Sequence, residues 1–181
     1  TPDGINQSIT SLYRHTRLLY GNGYFMSNCQ NGTDESTFAQ SADGNFRELD
    51  MSGNGIVNSN TFPTSMVWGA TFPNINTANA IIEKGPGFGI VESLISEARF
   101  FRAFDYFMLV QTYGGVPLDL GSGELAFNIN PTTNSARNTV PEVYTKAVFP
   151  DLKKAVDNLP IQPRVTGGVT KNVARLFLAK A

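Results

Sequence analysis

Apolar positions along this chain fall into helical stripes separated by two long stretches that have no period. From Ile5 to Tyr20, the residues Ile9, Leu12, Tyr13, Thr16 and Leu19/Tyr20 recur at steps of three and four, which places them on one helix face. Gly21-Asn22-Gly23 stops that helix. His15 lies one step off the stripe and is expected at the surface or the helix edge. A second helix is predicted from a cap at Thr64 or Ser65 to Lys84, with Trp68, Phe72, Ile75, Ala78/Asn79 and Ile82 as its apolar stripe. Pro73 interrupts it, so the expectation is a kink near Gly69–Phe72 or an early turn and a restart.

Residues Ile90 to Tyr113 give the strongest helical pattern. Leu94, Ala98, Phe101, Asp105 and Met108 lie on one side and Phe100, Ala103, Phe107 and Val110 on another. A helix apolar nearly all round sits inside its domain. Glu97, Arg99, Arg102 and Asp105 then need partners, because an unpaired buried charge costs several kcal/mol. Arg102 and Asp105, three residues apart, are expected to pair along the helix. Gly114-Gly115-Val116-Pro117 ends this element. A fourth helix spans Val140 to Leu159, with Pro141 in its first turn and a kink or brief break expected at Pro150. Thr170 opens a last helix that is still apolar at Ala181, so the chain reads as the front portion of a longer protein.

The two aperiodic stretches differ. Residues 118–140 are mostly neutral and polar. Residues 21–62 scatter Tyr24, Phe25, Phe38, Phe46 and Phe62 among Asn, Gly, Ser and Asp, with five acids against Arg47 alone, a local charge of −4. Long loops inside compact domains tend to be functional, and disordered chains are poor in aromatics, so an ordered binding loop is the preferred reading.

Composition narrows the chemistry. With a net charge of −1, the chain offers no basic face for nucleic acid. No run approaches the ~20 apolar residues of a membrane span. One Cys, Cys29, and one His cannot build a zinc site, and a single Cys cannot form an internal disulfide. No cofactor or metal is therefore expected. Gly85-Pro86-Gly87-Phe88-Gly89 is a tight connection, since its spacing fails that of a phosphate-binding loop. Asn, Gly, Ser and Thr together supply 62 of the 181 residues, a neutral hydrogen-bonding surface suited to an uncharged ligand.

The third helix carries a longer pattern. Glu97-Ala98-Arg99-Phe100-Phe101-Arg102-Ala103-Phe104-Asp105-Tyr106-Phe107-Met108-Leu109-Val110-Gln111-Thr112-Tyr113-Gly114-Gly115-Val116-Pro117-Leu118 resembles the signature of SusD/RagB-type proteins. Other pieces resemble that family in order: Asp34-Glu35; Trp68 through Phe72, Ile75, Ala78-Asn79 and Glu83; Val143-Tyr144 with Asp151-Leu152, Ala155 and Leu159-Pro160; and Thr170-Lys171. Phe72 stands where the family usually has Tyr, and Pro73 enters a helix that normally continues.

The resemblance implies an all-α, SusD-like fold of tetratricopeptide-like helix pairs with long irregular loops, incomplete at the C-terminus. Residues 1–89 would hold the N-terminal helices and loop region, and residues 90–181 the start of the helical scaffold. It implies a non-catalytic lipoprotein on the outer face of the outer membrane, with signal peptide and anchor Cys outside this sequence. Its expected partners are a glycan and a TonB-dependent, SusC-like transporter to which the glycan is delivered. A peptide-capturing member of the family and a glycoside hydrolase are the alternatives.

Sugars need aromatic faces and a rim of amides, acids and Arg for their hydroxyls. Asp34, Glu35, Asp43, Asn45, Phe46, Arg47 and Trp68 supply that mixture and are the candidate ligand-binding residues. Asp34 and Glu35 are adjacent, which does not suit carboxylates that must flank a glycosidic bond ~5–9 Å apart.

Overall fold

The computed structural model describes residues 1–21, 33, 35 and 62–181, with residues 18–20 and 62–64 as backbone only. Its elements are α1 (Pro2–Tyr20), α2 (Phe62–Lys84), a 3-10 turn (Pro86–Phe88), α3 (Glu92–Tyr113), α4 (Val140–Val143), a π turn (Tyr144–Val148), α5 (Phe149–Asn158) and α6 (Lys171–Lys180). The described residues contain no strand, only an isolated bridge between Asp119 and Glu124. The all-α expectation holds. The chain divides into two compact units, Thr1–Tyr13 with Thr71–Ala181, and Arg14–Ala70.

In the larger unit α3 is the axis. Every residue from Ile95 to Val110 except Arg99 is buried, as the all-round apolar pattern requires. α2 lies antiparallel to it, with Asn74 meeting Asp105 and Asn79 meeting Arg102. α5 is also antiparallel, with Ser96 against Lys154 and Arg102 against Asp151. α6 packs through Phe177, whose ring meets Phe100, Phe104 and Phe107 edge-on at 5.3–6.1 Å. The α1 residues Ile9 and Leu12 are fully buried, and the Tyr13 ring meets Phe101 at 4.7 Å.

Several local expectations change. α2 begins at Phe62, ahead of Thr64 and Ser65, so neither residue is its cap. It runs through Pro73 without the break and restart, and Pro73 is exposed. At Pro150 the helix converts to a π turn instead of breaking. Pro150 has no N–H to give, and the Phe149 N–H reaches back five residues to the Tyr144 carbonyl. Pro141 does sit in the first turn of α4, where Thr139 and Glu142 form a reciprocal capping box. Thr170 caps α6 by accepting the Val173 N–H.

The smaller unit contributes the end of α1, residues 33 and 35, and the start of α2. Val67 is buried there, and so is His15, at 6% exposure. The edge or surface position expected for His15 is wrong. It follows Leu12 by three residues, close enough to share the buried side of α1.

Candidate functional site

Of the seven candidate ligand-binding residues, Asp34, Asp43, Asn45, Phe46 and Arg47 lie outside the described residues, as does Cys29. Glu35 is exposed at a bend. Trp68 is partly exposed on the first half of α2. The structure therefore brings no candidate set together within the described residues. What it does resolve is the framework of buried polar groups and the second loop that this framework holds.

Arg102 is the centre of that framework. Its side chain is 6% exposed and faces the Asp151 carboxylate, 3% exposed, with Nε donating at 2.6 Å and Nη2 at 2.9 Å. Nη1 donates to Asn79 Oδ1 at 2.8 Å and to the Leu125 carbonyl at 3.3 Å. The expected Arg102–Asp105 pair is replaced. Asp105 accepts from Asn74 at 2.6 Å, and the fork geometry of a guanidinium is satisfied bidentately by a carboxylate from α5. Arg99 adds a longer contact to Asp151, 3.4 Å, and one to Glu92.

A second knot joins α1, α3 and the segment before α6. Glu97 accepts from Arg164 Nε and Nη2 at 2.9 and 3.0 Å and from the Tyr13 hydroxyl at 2.7 Å. The Tyr13 oxygen in turn accepts the Val169 N–H.

This packing shifts two phenols, the half-buried Tyr13 and the buried Tyr106. Burial pushes the Tyr13 hydroxyl up, the Val169 N–H opposes this, and the Glu97 carboxylate adds to the rise. Burial likewise raises Tyr106, against the opposing Arg102 charge. Both folded-state values lie above the unfolded value of ~10, so their stabilisation is complete below ~10 and is lost as pH rises beyond it. Denaturation midpoints followed from about pH 8 upward are expected to fall above ~10. Tyr106→Phe should flatten that fall; an unchanged slope would count against the assignment. At neutral pH the same variant should cost under about 1 kcal/mol, because the Tyr106 hydroxyl has no hydrogen-bond partner among the described residues.

The loop from Gly114 to Thr139 is held by polar groups on α2. Asn76 bonds the Asn128 backbone twice, donating to its carbonyl at 2.8 Å and accepting its N–H at 3.0 Å. Asn79 donates to the Ala126 carbonyl and Glu83 accepts the Phe127 N–H. These three side chains are spaced by three and four residues and line one α2 face. Leu125, between them and Arg102, has φ of 58°, a left-handed conformation that costs a non-glycine residue roughly 1–2 kcal/mol. Asp119 Oδ1 accepts the N–H groups of Gly121, Ser122 and Gly123, closing the opposite turn. At the loop's entrance Gly114 has φ of 73° and a Cβ on Gly115 would strike the Asn138 carbonyl, so both glycines are needed. Asn76→Ala is expected to lower stability by about 1–2 kcal/mol and to speed amide exchange at Asn128. Unchanged exchange there would contradict the clamp.

Residues 5–181 match the family model SusD-like_3, described as "Starch-binding associating with outer membrane". The chain belongs to this family. Its SusD-like fold also appears in a SusD superfamily protein from Parabacteroides distasonis, 21% identical with a TM-score of 0.69, covering 98% of this chain and 38% of that one. Two SusD superfamily proteins from Bacteroides thetaiotaomicron align with TM-scores of 0.73 and 0.63 at 19% identity, each over 42% of its own length. The SusD-like chain thus spans about two-fifths of these solved structures. No curated protein matches it. Within it, the motif residues Asn79, Glu83, Glu97, Arg102 and Asp151 tie helices and loop together. The sequence reading missed the Asn76, Asn79 and Glu83 clamp. Its signal was three polar residues recurring at steps of three and four on one face of α2.

Proposed function

We propose that this SusD-like chain is part of a non-catalytic outer-membrane lipoprotein that captures oligo- or polysaccharide and delivers it to a TonB-dependent transporter. The observation that carries the reading is the family match over residues 5–181, whose description names starch binding and the outer membrane. In this reading residues 1–89 carry the ligand-facing loop with Asp34, Glu35, Asp43, Asn45, Phe46, Arg47 and Trp68. Residues 90–181 begin the helical scaffold that holds it. Neutral hydrogen-bonding side chains suit sugar hydroxyls, and the family resemblance supports a surface-facing lipid anchor. Among the described residues no helix is long and apolar enough to cross a membrane.

The test is electrophoretic. The full-length protein should be retarded in native gels containing starch or another polysaccharide, and should leave labelled oligosaccharides intact. Crosslinking in the native membrane should recover a TonB-dependent transporter. Released product would favour a hydrolase, and peptides protected in the purified protein would favour peptide capture.

A further inference from the structure

We propose that the aromatic strip of Phe177, Tyr144 and Phe149 is the seat of a further segment of this polypeptide, the stretch that follows Ala181, whatever ligand the protein captures. The rings lie together through one buried neighbour. Phe107, 7% exposed, meets Phe177 at 6.1 Å and Tyr144 at 6.5 Å, both edge-on, and Tyr144 meets Phe149 at 5.5 Å. Tyr144, Phe149 and Phe177 are each half-buried. The π turn makes the pairing of Tyr144 with Phe149. On an α-helix, residues five apart point about 140° away from each other. A reach-back of five residues, from the Phe149 N–H to the Tyr144 carbonyl, brings them to the same side.

The size of the strip and the length of the relatives point to that occupant. The matched part covers only 38–42% of each solved SusD superfamily protein, so those chains carry much further length. The Ala181 N–H donates to the Phe177 carbonyl at 3.0 Å, so a continuing chain departs beside this ring. Three half-buried rings leave on the order of 200 Å² uncovered. That is far below the ~800 Å² per partner of a stable interface between separate chains. A tethered segment escapes this requirement, because its link to α6 holds it at a high effective concentration. The segment that fits is one with a short apolar stripe, aliphatic or aromatic, able to lie against ring faces and edges.

Photo-crosslinking of the full-length protein tests this. The variants are Tyr144→p-benzoylphenylalanine and Phe149→p-benzoylphenylalanine, each required to keep the parent's melting temperature. Irradiation should give a product of monomer mass in which the probe is joined to a peptide beyond Ala181, in at least tenfold excess over any dimer. Crosslinks confined to residues 1–181, a doubled mass, a join to another protein, or an unreacted probe on a folded variant would each overturn the proposal. The unmodified parent gives a reading that needs no substitution. Hydroxyl-radical oxidation of Phe177 should be at least tenfold slower in the folded full-length protein than in the unfolded one. A smaller slowing would mean that the ring stays open and would reject the proposal.

Discussion

Arg102→Ala in the full-length protein is expected to lower unfolding free energy by about 3–5 kcal/mol, the range for breaking one side of a buried ion pair. The variant strands the Asp151 carboxylate at 3% exposure and removes the donor held by Asn79 and the Leu125 carbonyl. Three elements lose their common anchor at once: α5 through Asp151, α2 through Asn79, and the loop at Leu125. Arg102→Lys should recover only part of the loss, because an ammonium cannot reproduce the two-pronged contact at 2.6 and 2.9 Å. The double variant Arg102→Met/Asp151→Leu should be less destabilised than Arg102→Ala alone, since it leaves no uncompensated charge. Chemical denaturation of the three variants reads this order directly. A loss below about 1 kcal/mol for Arg102→Ala would mean that the pair is solvated, contrary to its burial.

Glu97→Ala comes second, with an expected loss of about 2–3 kcal/mol from charge-assisted hydrogen bonds. Glu97 is 4% exposed and accepts from both prongs of Arg164 and from Tyr13. Its loss releases the 160–169 segment from α3 and removes the acceptor that orients the Tyr13 hydroxyl toward Val169. Arg164→Ala should cost as much or more, since it strands the Glu97 carboxylate at 4% exposure, whereas Glu97→Ala leaves an Arg164 side chain that is 42% exposed and open to water. Thermal melts of both single variants test this order; a clearly smaller loss for Arg164→Ala would contradict it.

Elements defined by local periodicity were legible, and so was the family. The stripes of α1, α2 and α3 depend on spacing within one helix, and α3 is buried from Ile95 to Val110 except at Arg99, as its composition requires. Partners that come from distant chain were not legible. Arg102 and Asp105 are neighbours on a helix, but Asp151 reaches Arg102 only because α5 packs antiparallel to α3. Pro150 announced a lost N–H, yet whether the helix breaks or shifts to π spacing depends on how α5 is held on both sides. The Thr139-x-x-Glu142 capping box is a local signature carried by the sequence itself. The 21–62 stretch has no period, so nothing in its pattern fixes where Asp34, Asp43, Asn45, Phe46 or Arg47 point, and these residues lie outside those described. The loop at 118–140 read as plain polar connection. Its order comes from Asn76, Asn79 and Glu83, whose targets are backbone groups about fifty residues away.

If this SusD-like chain serves glycan capture without cleavage, as proposed, the protein must bind a glycan and leave it intact. Isothermal titration of the full-length protein against starch fragments and a panel of other polysaccharides measures it most directly. Saturable binding to at least one glycan is expected, weakened by Trp68→Ala and Arg47→Ala, with the ligand recovered intact. Absence of binding to every glycan, or recovery of cleaved product, would contradict it.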